Sequence, residues 1–127
     1  MKKSRTFRLF KHSDTYLTFK AGETIFKEGD PGLSMYVVKA GRVELRIGDV
    51  VVDTVESEGF LGEMALLDAE TRSATAVAVV DSELVPLDRE KFLYLVQETP
   101  DFALEVLRVM AQRLRRMDKD RKQAAGG

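Results

Sequence analysis

Cysteine is absent from the chain, and with it go disulfide bonds, thiolate metal sites and cysteine nucleophiles. The absence also matches a reducing cytoplasm, the compartment expected. Histidine occurs once, at His12, so a multi-histidine metal centre is excluded and no metal is expected. A Ser/His/Asp set would have to draw its base from that same terminal segment. No P-loop or glycine-rich dinucleotide fingerprint is present, and no pair of carboxylates can be assigned to a cleft from sequence. Catalysis is therefore not expected. An excess of one charge is missing too. The 20 Lys and Arg against 21 Asp and Glu leave a net charge of −1 and no overall electrostatic case for nucleic acid. Nowhere do ~18 apolar residues follow one another, as a membrane-spanning helix needs, and the opening MKKSRTFRLF lacks the apolar run of a signal peptide.

What is present suits one globular domain. The 127 residues are 44% hydrophobic and 32% charged, enough for a single core and too few for two comfortable ones. Residues 1–14 read as an N-terminal segment, 15–122 as the domain and 123–127 as a frayed tail. Within 15–88, turn punctuation recurs at Ala21-Gly22, Gly29-Asp30-Pro31-Gly32, Gly41, Gly48-Asp49 and Gly59. Between these lie short runs rich in β-branched and aromatic residues: Tyr16 to Phe19, Thr24 to Phe26, Met35 to Val38, Val43 to Ile47 and Val50 to Val55. Many short strands at this spacing predict a mainly β sandwich or barrel. Arg42 to Ile47 alternates strictly, which puts one face in the core and one in water, and Gly48-Asp49 predicts a tight hairpin into Val50. Ala74 to Val80 is almost wholly apolar and predicts a central strand, followed by another at Glu83 to Leu87.

The period changes over residues 89–122. Asp88 is a fitting N-cap for a helix over Arg89 to Gln97, with Phe92, Leu95 and Val96 on one face. Thr99-Pro100 stops it and starts a longer helix, Pro100 to about Lys122. Ala103, Leu107, Met110, Leu114 and Met117 are spaced 4, 3, 4, 3, a coiled-coil-like stripe that Val106 and Val109 widen. The stripe suits packing on the chain's own barrel, and equally a second subunit. Arg113, Arg115, Arg116, Lys119, Arg121 and Lys122 read as a solvated basic end, since cations suit a helix C-terminus.

The chemistry concentrates in residues 62–76, GEMALLDAETRSATA. Gly59-Phe60-Leu61-Gly62 leads into one or two helical turns over Glu63 to Leu67, whose first amides lack intrahelical partners and can bind an anion. Gly62 permits close approach to the backbone. Asp68 to Thr71 makes a turn, and Arg72 begins the next strand. An Arg beside those amides can give a phosphate two forked, charge-assisted hydrogen bonds. Glu63 cannot share that position, because two anions repel. It needs a donor, and a sugar hydroxyl is the natural one. A phosphate fused to a ribose meets these demands. A surface ion pair of Arg72 with Glu63, Asp68 or Glu70, often worth less than ~1 kcal/mol, explains the same residues equally well. The residues alone leave both readings open.

Over residues 15–118 the chain resembles the cyclic nucleotide-binding domain family. One block that carries the resemblance runs from Phe19-Lys20-Ala21-Gly22-Glu23-Thr24-Ile25-Phe26 to Gly29-Asp30, followed by Met35-Tyr36-Val37-Val38 and Gly41-Arg42-Val43. Binders and non-binders share this block, so it speaks for the fold: a double-stranded β-helix or jelly-roll barrel with a long C-terminal helix. The second block, Gly62-Glu63-Met64-Ala65-Leu66-Leu67 through Arg72-Ser73-Ala74-Thr75-Ala76, resembles the family's phosphate-binding cassette. The resemblance implies that Arg72 contacts the cyclic phosphate, that Glu63 accepts from the ribose 2′-hydroxyl, and that the amides around Met64 and Ala65 face the phosphate. Ser73 could add a hydroxyl to the phosphate or reach a guanine edge, so cyclic AMP is favoured and cyclic GMP stays open. Leu45, Val52 and Leu61 are the implied walls of base and sugar.

The function implied is a stand-alone cyclic nucleotide receptor that signals through movement of its C-terminal helix to an effector protein. A homodimer through the Pro100–Lys122 helix is the oligomer the stripe points to. The alternative is an interaction module that does not bind nucleotide, against which the intact Glu63 and Arg72 argue. A DNA-binding regulator is disfavoured by the net charge and by the lack of a helix-turn-helix after the long helix. Two departures from the family pattern stand out. The N-terminal helices are reduced to Arg5–Lys11, and Glu56-Ser57-Glu58 replaces a turn that usually carries Pro or Gly.

Overall fold

The computed structural model describes residue 10, residues 15–67 and residues 71–126. His12, the Arg5–Lys11 helix apart from Phe10, the Asp68–Glu70 turn and Gly127 lie outside the described residues. The strands are β1 (Leu17–Phe19), β2 (Thr24–Phe26), β3 (Ser34–Ala40), β4 (Arg42–Ile47), β5 (Val50–Glu56), β6 (Phe60–Leu61), β7 (Thr75–Ala78) and β8 (Ser82–Asp88). The helices are α1 (Met64–Leu67), α2 (Arg89–Glu98) and α3 (Asp101–Gly126). The strands form two antiparallel sheets, ordered β1-β8-β3-β6 and β2-β7-β4-β5, which is the jelly-roll barrel expected. The apolar β7 lies between β2 and β4, the central place its composition predicted. Strand β6 was not foreseen, because two residues are too short to show an alternation.

The first sheet is apolar on both faces, and this positions everything else. Met35, Val37, Phe60, Val85 and Leu87 point to the helices and pack with Phe102 and Val106 of α3, with Phe92, Leu95 and Val96 of α2 laid on them. Val38, Leu61 and Leu84 point the other way, into a second cluster with Val43, Val55 and Ala76 of the facing sheet. The two-residue period of a strand separates the clusters. In the second sheet, β4 and β5 close a hairpin whose strands end at the pair Ile47 and Val50, with Gly48 at φ 60° making the turn. Leu45 pairs with Asp53 but Arg46 pairs with Val51, so Val52 is the extra residue of a bulge. In β8, Pro86 stands opposite Tyr36 on β3, while β1 pairs with β8 at Ser82 to Leu84. The β1 strand has ended before Pro86, so the missing N–H leaves no rung of that ladder broken.

Helix α2 starts where expected: the Asp88 side chain accepts from the Lys91 amide at 2.8 Å. Helix α3 follows Pro100 and is helical to Gly126, past the expected end at about Lys122. Its buried face keeps Val106, Val109 and Met110 of the predicted stripe but takes in Phe102 and leaves out Leu107 and Leu114. Phe102 is 1% and Val106 6% exposed, with Val109 and Met110 packed on the same cluster. Leu104, Leu107 and Leu114 are instead 50%, 59% and 65% exposed. Phe102 sets this rotation, because its ring fills the space between Phe10 and Phe92, with ring centres 6.2 and 5.4 Å away. The Met117 side chain lies outside those described. Among the described residues no helix is long and apolar enough to cross a membrane.

Candidate functional site

The cassette begins where β6 leaves the barrel. Gly62 turns the chain at φ 77°, a conformation that costs a side-chain-bearing residue, and Glu63 follows. Helix α1 is a single turn, secured by a 3.1 Å bond from the Leu66 amide to the Glu63 carbonyl and by the buried Leu66 side chain. One turn carries little macrodipole, so any attraction for an anion here rests on individual amides. Arg72 does not begin the next strand, as its sequence suggested. Its amide donates to the Asp30 carbonyl at 2.7 Å and its carbonyl accepts from the Gly29 amide at 2.8 Å, which ties it to the loop before β3. The β7 ladder starts at Thr75.

Arg72 is 8% exposed. Its Nη1 donates to the Gly62 carbonyl at 3.2 Å and its Nη2 to the Ser34 carbonyl at 2.7 Å. The guanidinium carbon lies 4.1 Å from the centre of the Phe26 ring and 5.9 Å from that of Tyr36. A Cβ on Gly32 would overlap the guanidinium, and one on Gly62 would stand 2.7 Å from Nη1. Both glycines are therefore required by the close approach of Arg72. Its Nε is buried with no hydrogen-bond partner among the described residues. Burial pushes the guanidinium pKa down from its ordinary value, against the fields of Tyr36, Asp30 and Glu63, which push it up. Among the described residues, the surface ion pair of Arg72 with Glu63 that the sequence allowed is not formed. The side chain is inside, and Glu63 has another partner. Asp68 and Glu70 lie outside the described residues.

That partner is Arg113 on α3. Arg113 Nη1 donates to Glu63 Oε1 at 2.6 Å, its Nε lies 3.1 Å from Asp53 Oδ2 on β5, and its Nη2 donates to the Phe60 carbonyl. Its guanidinium carbon also stands 4.8 Å from the centre of the Phe60 ring. Arg116 adds a 3.1 Å bond to Asp53 Oδ1. The side chains of Arg113, Glu63 and Asp53 are 15%, 15% and 10% exposed, so the pair is sheltered from water. Neither Arg113 nor Asp53 was singled out from the sequence, where Arg113 was counted into a solvated basic end. The signal was its spacing: Phe102, Val106, Val109 and Arg113 are 4, 3 and 4 apart, which puts a cation on the core-facing stripe.

The remaining expected residues fall as follows. Met64 is half exposed and Ser73 exposed beside Arg72, and Ala65 lies in the α1 backbone. Leu61 is wholly buried in the barrel cluster, and Leu45 packs against it half-buried. Val52, the bulge residue, is 47% exposed and belongs to neither apolar cluster. Glu58, in the turn entering the cassette, has φ 74°, a conformation that a Gly would adopt without strain. Among the described residues no three His, Cys, Asp or Glu groups stand close enough to hold a metal ion. The groups present fit an anion: a buried cation with an orphaned donor, held by neutral carbonyls, with a carboxylate nearby to accept from a hydroxyl.

A barrel of this topology with such a cassette is a small-ligand binding module. The cyclic nucleotide-binding domain model matches residues 16–99, and the chain belongs to that family. It is similar to the cyclic AMP receptor protein of Thermus thermophilus, 38% identical over 105 residues that cover 79% of this chain and 49% of that protein. The solved catabolite activator protein of Thermus thermophilus superposes with a TM-score of 0.78 at 33% identity, covering 94% of this chain and 59% of that one. A protein solved in work on a cyclic-GMP-dependent signalling pathway that regulates bacterial phytopathogenesis gives a TM-score of 0.74 at 30% identity, covering 87% and 93%. The chain spans about half the length of the Thermus receptor it matches.

Proposed function

We propose that the chain is a receptor module for a cyclic nucleotide, cyclic AMP in the first instance, and that it works by binding rather than catalysis. The observation that carries this is Arg72: a buried cation without a carboxylate partner among the described residues, whose Nε still lacks an acceptor. Leaving such a charge uncompensated costs several kcal/mol, on the order of what an anionic ligand returns. Arg72 would hold the cyclic phosphate, with the amides of Gly62, Met64 and Ala65 and the Ser73 hydroxyl beside it. Glu63 would accept from the ribose 2′-hydroxyl. A carboxylate has acceptor sites to spare, so its bond to Arg113 does not use up that capacity. Leu45 and Leu61 would supply apolar wall. The name of the Thermus relative supports cyclic AMP, and the cyclic-GMP pathway protein keeps cyclic GMP as the competitor to be measured.

The output in this reading is α3. Glu63 sits in the cassette and Arg113 on the helix, so a change at Glu63 is felt by the helix through one 2.6 Å bond. A ligand shifts the helix by its differential affinity for two positions of it. The exposed Leu104, Leu107 and Leu114, with the half-buried Ala111 between them, recur at 3, 4 and 3, and a second copy of the chain is the partner proposed for that stripe.

Calorimetric titration tests the reading. One of cyclic AMP and cyclic GMP should bind in the micromolar range, 5′-AMP should bind far more weakly, and Arg72→Ala should lose on the order of a hundredfold. The absence of heat with any of the three would refute the receptor, and equal affinity in Arg72→Ala would refute the site.

A further inference from the structure

We propose that Phe26 is a positioning residue for the Arg72 guanidinium, an aromatic floor that fixes the plane of the cation and keeps its Nε edge free for a phosphate. The inference rests on the receptor reading and deepens it.

Arginine has a long side chain that loses about 2 kcal/mol of rotamer entropy when fixed, so something must hold it. The usual anchor, a carboxylate, would cancel the charge and compete with a phosphate for the same donors. Among the described residues the anchors of Arg72 are of another kind: two backbone carbonyls and a ring. Carbonyl dipoles and a π face attract a cation without neutralising it. The attraction of a ring for a guanidinium is strongest where water is excluded, and Arg72 is 8% exposed.

Phe26 is itself held. Its ring packs against the barrel cluster and stacks on Tyr36 with centres 6.2 Å apart and planes 28° from parallel. Its backbone pairs with Ala76 on β7, the strand that the Arg72 loop leads into. Floor and guanidinium thus stand on β2 and on the loop that leads into its neighbour β7. An aliphatic residue at 26 would fill the barrel as well but would offer no π face, and this separates the positioning role from packing.

The test compares wild type with Phe26→Leu and Phe26→Tyr by cyclic nucleotide calorimetry, thermal unfolding and NMR of the Arg72 Nε–H in free protein. Phe26→Leu should lower affinity about tenfold, the scale of a desolvated cation–π contact, and Phe26→Tyr should stay within about twofold of wild type. In wild type the Arg72 Hε resonance should lie upfield through the ring current, and Phe26→Leu should abolish that shift. An unshifted wild-type resonance overturns the inference whether or not the variants fold. So does a Phe26→Leu protein that binds like wild type, or a Phe26→Tyr protein that loses affinity and melting temperature together as Leu does. If wild type binds neither cyclic nucleotide, the receptor reading falls and takes the ligand role of Phe26 with it. Wild-type binding with undiminished Phe26→Leu affinity removes this inference alone.

Discussion

Arg72 and Arg113 are both drawn inside the fold, and their charges are met in opposite ways. Arg113 is shared between two carboxylates, Asp53 and Glu63, at 3.1 and 2.6 Å. Among the described residues Arg72 has carbonyls and an aromatic ring. The first arrangement is a structural tie and the second leaves a charge to be answered. Arg113→Ala would strand two sheltered carboxylates near each other without their common cation. Partly buried pairs lie between the surface and interior cases, so a loss of about 1–3 kcal/mol is expected in urea unfolding. Arg113→Lys should recover part of it, since one ammonium cannot repeat the fork to both acids. A loss below ~0.5 kcal/mol would show the tie to be idle. At this scale the sequence was legible where the pattern was local. Glu63 and Arg72 sit in one short segment, and the fold keeps them close, with Arg72 bonded to the carbonyl of Gly62 next to Glu63. Asp53, Phe26 and Arg113 were not legible, because each reaches the site from a different element. Their proximity is a product of the barrel's closure, not of spacing along the chain.

Helix α3 shows how a periodicity can be right in kind and only partly right in phase: Val106, Val109 and Met110 face the barrel as expected, Leu107 and Leu114 do not. Its apolar residues are numerous enough to support two stripes. Phe102, Val106 and Val109 face the barrel, and Leu104, Leu107 and Leu114 face away. The heptad-like spacing alone favoured neither, and the ring of Phe102, which needs the largest cavity, decided the phase. The two stripes should therefore respond unequally to truncation. Phe102→Ala is expected to cost about 3–5 kcal/mol of stability, and Leu107→Ala to stay within ~0.5 kcal/mol in dilute monomer. Denaturant titration of both variants checks the assignment. The strands were easier to read than the helix. Their turns are marked by glycines and Asp, and the buried runs between them have no competing phase. The exception is β6, too short to carry a pattern.

At the scale of the whole molecule, the unanswered surface is the outer stripe of α3. If a second copy covers it, light scattering should give about twice the mass of the 14.3 kDa chain, with the ratio depending on nucleotide, and Leu107→Glu with Leu114→Glu should return it to one. A mass of one chain at every concentration and ligand state would set the dimer aside. Assembly by sheet edges is a different hazard. Strand β5 lies at the edge of its sheet and carries Val50, Val51 and Val52, each about half exposed or more, the kind of run that recruits strands from other chains. The bulge at Val52 breaks the even row of donors and acceptors that such recruitment needs. On the other sheet, the flank of β8 left open where β1 ends is the stretch that holds Pro86, which has no N–H to offer a newcomer. An extra valine and a proline thus stand as guards against cross-β pairing at two places where a sheet offers an open flank.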